Sequence, residues 1–591
     1  VLFLDITKTQ DMGLNYNTLV SGKFLAIASI FFSSVSIAQS VYASLDNDYY
    51  NLIDRMDIKG YSGNIFTEVK PYLRKDIAKM ADSASRDSNL HLSNVDRRNI
   101  EYLRHDNWEW SNIQDSGNSV KPILKYFYQK KNDFYEINTK SFQFQLNPVA
   151  YFSIGKDMDT ASHTTYINTR GVELRGIIDN RVGFYTLLTD NQAEFPQYVN
   201  NRIAATNAVP GEGFWGPNGK TGYDFYTVNG YIDFRLTKHI STQFGQDKNI
   251  IGDGYRSLML SDNSSNYLFW KIDTKVWKLE YVNIFAQMTA DIISNPNNPP
   301  LGDVFYPRKY MALHYLTLNV TKNFNIGVFE SITFGNTDTI HNRGFDLTYL
   351  NPIIFYKAVE NGLGAPDKDH IGFNFKWNFL KHCSLYGTVL LDEFNIEEIK
   401  ANTGWWGNKQ AAQIGLKYID VFGIHNLDAQ GEVNVVPPYT YATYSFPNAT
   451  GNYSYFANYT NYQQSLADPN GANFYEAIGT LKYQPCYRLT LTGKLFYTII
   501  GLDTAGLNYG SNIMLSNTTR VHDYGNFITQ GAKTTIIFLS FTATYQIAHN
   551  MFIDLTAILR KEKSLYSAYN DNDNSFSVAF RWNIAKRLQE F

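Results

Sequence analysis

The groups in this sequence with the most capacity for chemistry are aromatic, amide and hydroxyl side chains gathered in loops. The run from Tyr439 to Tyr462 includes Tyr441, Tyr444, Tyr453 and Tyr455, is otherwise rich in Asn, Ser and Thr, and holds no charged residue. Rigid aromatic faces beside amides and hydroxyls suit the mixed apolar and polar faces of sugars. The same composition serves protein-binding loops and loops that fold on themselves. Phe214-Trp-Gly-Pro-Asn218 and Gly404-Trp-Trp-Gly-Asn408 set Trp215, Trp405 and Trp406 beside Gly and Asn. An indole there can stack on a sugar ring, or anchor at a membrane boundary.

Other chemistry finds little support. Asp392-Glu-Phe-Asn-Ile-Glu-Glu398 gathers carboxylates of the kind that ligate Ca²⁺. The spacing is not that of an EF-hand, and a solvated rim is the expectation, with no metal site. HExxH, GxSxG and P-loop patterns are absent, and the eleven His are scattered. The expectation is a non-enzymatic protein without a cofactor. A net charge of −3 without a concentrated basic face argues against nucleic acid as a partner.

The elements that must carry these loops have a rhythm. In Phe324-Asn-Ile-Gly-Val-Phe-Glu-Ser-Ile-Thr-Phe334 and in Thr534-Thr-Ile-Ile-Phe-Leu-Ser-Phe-Thr-Ala-Thr-Tyr-Gln546, apolar groups recur at every second residue over most of the run. Strand side chains alternate faces, so each run has one apolar side. Short connections fall near Asn180-Arg181, Lys238-His239, Lys275-Val276, Lys322-Asn323, Lys381-His382, Phe422-Gly423, Gln484-Pro485 and Ala548-His549, with long ones between them. Tight turns at one end and long loops at the other are the layout of an outer-membrane β-barrel. Only 18% of residues are charged and 16% are aromatic, which fits a lipid-facing wall with aromatic girdles. Reading Asn147-Pro148 as a turn would give nineteen strands and start the first on the wrong side. Pro148 is therefore placed inside one strand, at an edge or irregular point. The expectation is an all-β fold: an 18-stranded antiparallel transmembrane barrel over residues 141–591, in the outer membrane of a Gram-negative cell and in contact with its lipids.

Residues 39–140 read as a small α-helical domain on the periplasmic side. Asp48–Met56 has helical spacing, Pro71 suits a first helical position, and Ser93 with Asp96 resembles a capping box. This domain can plug the lumen, pack under the barrel, or bind an envelope protein. Residues 1–38 read as an export signal with an over-extended start. An apolar stretch follows Lys23, Ser36-Ile-Ala38 supplies small residues for cleavage, and no Cys follows to carry a lipid anchor. Cys383 and Cys486 both fall near short turns, where a disulfide competes with two unpaired thiols.

Gly252-Asp-Gly-Tyr-Arg-Ser-Leu-Met-Leu-Ser-Asp262 resembles the Gly-x-Gly-Tyr-Arg-Ser-Leu-x-Leu-Ser-Asp segment of Wzi-like capsule assembly proteins. Asn351-Pro-Ile-Ile-Phe355 with Glu360, and Tyr50–Met56 with Val69-Lys-Pro-Tyr72, are similar to further patches of that family. Asp468-Pro-Asn-Gly-Ala-Asn-Phe-Tyr-Glu476 resembles a segment of its gliding-motility, RemB-like branch, with Asp468 in place of His. The resemblance implies a barrel with a periplasmic helical bundle that holds capsular polysaccharide in a lectin-like way. For the RemB-like branch it implies surface adhesion or gliding. A diffusion channel and a structural member of an envelope complex are the alternatives. Within the shared segment, Arg256 and Asp262 can bond sugar hydroxyls or acidic sugars, or pin the loop to the barrel wall.

Overall fold

A computed structural model of the protein describes residues 39–45, 47–61, 63, 65–87, 92–113, 126–158, 163–290, 306–335, 344–353, 355–358, 367–393, 395–443 and 457–591. The expected export signal lies outside them.

Eighteen long strands form the wall: β1 Phe142–Asp157, β2 His163–Ile178, β3 Val182–Glu194, β4 Gly222–Arg235, β5 Ile240–Asp247, β6 Tyr267–Val276, β7 Leu279–Thr289, β8 Arg308–Asn319 and β9 Phe324–Gly335. They continue as β10 Lys368–Phe379, β11 Cys383–Leu391, β12 Gln410–Tyr418, β13 Leu427–Val436, β14 Phe474–Cys486, β15 Leu489–Leu502, β16 Ala532–Ala548, β17 Met551–Ser564 and β18 Asp571–Trp582. Each pairs antiparallel with its chain neighbours, and β18 pairs with β1 from Ser575↔Asp157 to Trp582↔Ala150, which closes the barrel. Alternation along β16 shows the logic. Phe538, Ser540, Thr542 and Thr544 are buried in the lumen, whereas Ile537, Leu539, Phe541 and Tyr545 are exposed on the outside. No helix among the described residues is long and apolar enough to cross a membrane.

All eight short connections lie on one end of the barrel. Six fall where expected and two are displaced. The β6–β7 turn is Trp277-Lys278, because Val276 still pairs with Leu279. The β14–β15 turn is Tyr487-Arg488, because β14 runs past Pro485 to Cys486 with a register shift after Tyr483. Proline has no N–H to donate, and the irregularity accommodates it. Pro148 lies inside β1, two residues beyond Ala150, the last β1 residue that β18 reaches. Its carbonyl accepts from Asn583 Nδ2 at 2.7 Å.

Helices α1 Tyr50–Ile58, α2 Arg74–Arg86 and α3 Asn94–Asp106 sit at the short-turn end. Tyr49, Ile53, Met56, Ile77, Met80, Ala81, Ile100 and Leu103 form their shared core. Ser93 and Asp96 cap α3 reciprocally, side chain to backbone in both directions. The bundle plugs the barrel through buried charge pairs. Arg55 reaches Asp96 at 2.8 Å and Asp420 and Asp428 at 2.5 Å each, and Lys59 reaches Asp96 and Asp420 at 3.1 Å each. Lys376 of β10 meets Glu68 at 2.9 Å, Lys417 of β12 meets Asp54 at 2.7 Å, and Arg175 of β2 meets Glu109 at 3.0 Å. Burial pushes the Asp96 carboxyl up, but the hydrogen bonds and charges of Arg55 and Lys59 outweigh it and hold it well below the ordinary range. Asp106 is held low in the same sense: burial opposes, while Arg74 and His549 prevail.

The final stretch also turns inward. Arg581 Nη1 donates to the Ile584 carbonyl at 3.1 Å. Residues 584–591 then run along the lumen, where Lys494 of β15 pairs with Glu590 at 2.7 Å and Arg560 Nε donates to the Phe591 carbonyl at 3.1 Å.

Cys383 and Cys486 are free thiols. They belong to β11 and β14 with two strands between them. Three interstrand steps of ~4.8 Å put them about 14 Å apart, beyond the reach of a disulfide.

Candidate functional site

The site is the long-loop end of the barrel, which has a buried inner layer and an exposed outer one. The inner layer is built on the segment 252–262, and its anchor is Glu432 on the lumen face of β13. Glu432 accepts the Tyr255 N–H at 2.6 Å and the Arg256 N–H at 3.1 Å, and also the Tyr386 hydroxyl at 2.8 Å. From there Leu258, Met259 and Leu260 enter the central core with no measurable exposure. The tip of the bundle meets the same segment. Val69 and Lys70 pair with Ile251 and Ile250, and Gly252 N donates to the Glu68 carbonyl at 2.8 Å. The plug and the mouth are thus one continuous packing unit.

This placement assigns Arg256 to the pinning role. Its guanidinium donates to the Glu590 carbonyl, lies 3.7 Å from Glu476, and sits 5.0 Å from the centre of the Phe496 ring. Burial opposes its charge, but Glu476 and Asp468 raise its pKa further above the ordinary value. A side chain committed to three interior contacts is not an outward sugar contact. Asp262 keeps a free-standing carboxylate, while its carbonyl accepts from Lys248 Nζ at 3.0 Å. It lines a 510 Å³ cavity bounded also by Tyr50 and Lys70 of the bundle, Lys417 of the wall and Lys586 of the inward-running stretch.

Where it is described, the Tyr-rich loop takes the inward-folded alternative that its composition left open. Tyr439 and Tyr441 are buried. The Tyr439 hydroxyl donates to the Asn508 carbonyl at 3.0 Å and that of Tyr441 to the Leu258 carbonyl at 2.8 Å. Tyr459 follows the same rule, donating to the Met259 carbonyl at 2.7 Å. Uncharged polar residues suit this role because each buried hydroxyl finds a backbone acceptor. Tyr444, Tyr453 and Tyr455 lie outside the described residues. Asp392 is neither a cation ligand nor a solvated rim residue. It is buried against Lys368, with Lys409 at 3.7 Å, and accepts the Tyr441 N–H at 2.7 Å.

The outer layer forms where residues 395–409 meet residues 503–531. The helix Ile396–Ala401 (α4) ends at Asn402, in the left-handed conformation. Gly404 follows with φ +66°, and a Cβ there would lie 2.8 Å from Asn526 N. Only glycine permits this approach, in which Asn526 N donates to the Gly404 carbonyl at 2.9 Å and Trp406 N to the Asp523 carbonyl at 3.0 Å. The Trp405 and Trp406 rings are 5.8 Å apart and both partly exposed. Arg520 stacks 4.3 Å from the Trp406 ring centre and is held by Asp523 at 2.5 Å. Tyr524 and Phe527 are exposed beside them. The patch offers flat aromatic faces together with a cation and carboxylates, the equipment for stacking on a ring and bonding its substituents. Trp215 stands apart, edge-on to Tyr223 at 4.7 Å. Its buried indole N–H has no hydrogen-bond partner among the described residues. Arg520, Asp523 and Tyr524 escape sequence reasoning because nothing local links them to the Trp pair more than a hundred residues earlier.

No protein-family model matches the chain, and no curated protein matches it. Among solved structures the chain is similar to Wzi of Escherichia coli, an outer-membrane protein involved in group 1 capsule assembly and a carbohydrate-binding β-barrel. The TM-score is 0.53 at 12% identity, covering 92% of this chain and 100% of that one. OprD of Pseudomonas aeruginosa aligns with a TM-score of 0.39 at 9% identity, and OccAB1 of Acinetobacter baumannii with 0.37 at 12%. At these identities the likeness is one of fold: the chain has the fold of an outer-membrane β-barrel of the Wzi kind.

Proposed function

We propose that this protein is a non-catalytic outer-membrane barrel that holds or organises surface polysaccharide on its long-loop face. The observation that carries the reading is the filling of the barrel interior. The bundle, the 252–262 segment and residues 584–591 pack inside the wall, leaving cavities of 430 to 580 Å³ between them, which favours the outward loop surface as the working face. On that surface Trp405, Trp406, Arg520 and Tyr524 form the contact patch. The carbohydrate-binding neighbour supports the ligand class. Repeated weak contacts along one long polymer make modest single-site affinity sufficient. The periplasmic face of the bundle is where an envelope partner would engage.

Deletion of the gene with staining of surface polysaccharide tests this in cells. The expected result is polymer shed into the medium, restored by the wild-type gene and not by a Trp405→Ala/Trp406→Ala allele. Normal retention in a clean deletion refutes it. The competing channel reading predicts steady conductance in planar bilayers, where this protein is expected to be silent.

A further inference from the structure

One stretch of chain lies on the wrong side of the wall. In β7, Val282, Ile284 and Ala286 belong to the central core, so Asn283 and Phe285 point outward. By the same alternation Ala312 and His314 of β8, and Glu330, Ile332 and Phe334 of β9, point outward. Neighbours on this wall, such as Leu316 and Val328, are exposed as a lipid-facing surface should be. Yet Asn283, Phe285, Ala312, His314, Glu330, Ile332 and Phe334 are all buried. What buries them is the chain at residues 344–353 and 355–358, folded down over the outside of the barrel. Tyr356 stacks on His314 at 3.9 Å, Lys357 N donates to Glu330 at 3.2 Å, and Lys357 Nζ pairs with Asp369 at 2.8 Å. Phe345 packs on Phe334 at 5.3 Å, and the Tyr281 hydroxyl donates to the Pro352 carbonyl.

The covered groups form a row. Asn283 is the direct cross-strand partner of His314, and His314 of Glu330. Polar side chains in a row on a lipid-facing wall are costly unless covered. The cover replaces them with an apolar exterior: Leu347 is 74% exposed, Ile353 85% and Phe355 69%. These three side chains continue the apolar band of the surrounding strands, which identifies what meets them. We propose that residues 344–353 and 355–358 belong to a membrane-inserted flap. Its outer face packs against lipid acyl chains, and its inner face shelters the Asn283–His314–Glu330 row. The flap then fixes one of the long loops at membrane depth. This rests on the barrel fold and is independent of the polysaccharide reading.

The test places a nitroxide on Ile353→Cys and, separately, on Phe355→Cys, in a Cys383→Ser/Cys486→Ser background. The protein is reconstituted into phosphatidylethanolamine–phosphatidylglycerol vesicles. Val328→Cys is the lipid-facing reference and Tyr524→Cys the aqueous one. Heat-modifiable migration confirms that each variant is folded. The expected result is an oxygen-to-nickel-chelate accessibility ratio at both flap positions that matches Val328 and exceeds Tyr524 several-fold. Accessibility to the nickel chelate equal to that at Tyr524 overturns the proposal, because the flap then faces water. Protection from both reagents overturns it too, because protein then covers the flap.

Discussion

Arg55→Met is the sharpest probe of how the bundle is locked into the barrel. Arg55 is 3% exposed and bonds Asp96 of its own bundle together with Asp420 and Asp428 of the wall. Methionine keeps much of the stem and removes the charge, which leaves Asp96 and Asp420 to share Lys59 and takes from Asp428 its ion-pair partner. Removing one partner of a buried ion pair costs about 3–5 kcal/mol. At 1.4 kcal/mol per decade, that lowers the ratio of docked to undocked bundle by roughly two to four orders of magnitude. Hydrogen exchange read by mass spectrometry reports this ratio directly as protection of the α1 and α3 amides. The control is Arg98→Met, which breaks an exposed Arg98–Glu101 pair of 2.9 Å, worth about 0–1 kcal/mol. Protection in α3 is expected to collapse in Arg55→Met while the wall strands keep theirs. Unchanged α3 protection, or an equal loss in Arg98→Met, would show that the buried charges do not hold the plug.

Acid should loosen the same joint. The Asp96 and Asp106 carboxyls have folded pKa values below their unfolded ones, so their stabilisation is complete above the ordinary value of 3.8 and is lost as pH falls through the folded values. α3 protection is expected to be level from pH 6 to 8 and to fall steadily below about pH 4; a fall beginning near neutrality contradicts the assignment. Tyr441→Phe removes the donor to the Leu258 carbonyl and strands a buried acceptor, at a cost of about 1–3 kcal/mol in unfolding measurements. Polysaccharide binding below the melting point should be unchanged by it, and a binding loss without a stability loss would return Tyr441 to the contact surface. Gly404→Val should part residues 395–409 from 503–531 and weaken polysaccharide binding as much as loss of Trp406, with the barrel intact; a variant that binds normally shows that this approach does not set the patch.

Much of the architecture is legible in the sequence, because period-two alternation is a local signal and the parity of the strand count is a global one. Pro148 illustrates both: parity puts it inside a strand, and the structure places it where β18 has ended. The turns at Trp277-Lys278 and Tyr487-Arg488 are displaced because Lys275 and the Gln484-Pro485 pair carry turn-like chemistry while still lying within paired strands. The mouth is less legible. Tyr439 and Tyr441 have the composition of a binding loop and serve as core, since an uncharged polar loop can satisfy its hydroxyls inward as readily as outward. Arg256 looks like a ligand contact because its partners Glu432, Glu476 and Glu590 are more than 170 residues away in sequence. The outer flap does leave a trace. Asn283, His314 and Glu330 interrupt the apolar face of three successive strands, and that interruption marks a covered wall.

Whether the long-loop patch grips polymer decides the function of this barrel. Its most direct test is the binding of purified wild-type barrel, and of the Trp405→Ala/Trp406→Ala variant, to polysaccharide extracted from the host cell surface and immobilised on a sensor. Wild type is expected to bind with slow, multivalent dissociation, and the folded double variant at least about tenfold more weakly, in line with the loss of one or two stacking contacts. No binding by wild type, or equal binding by the two proteins, would contradict the central claim.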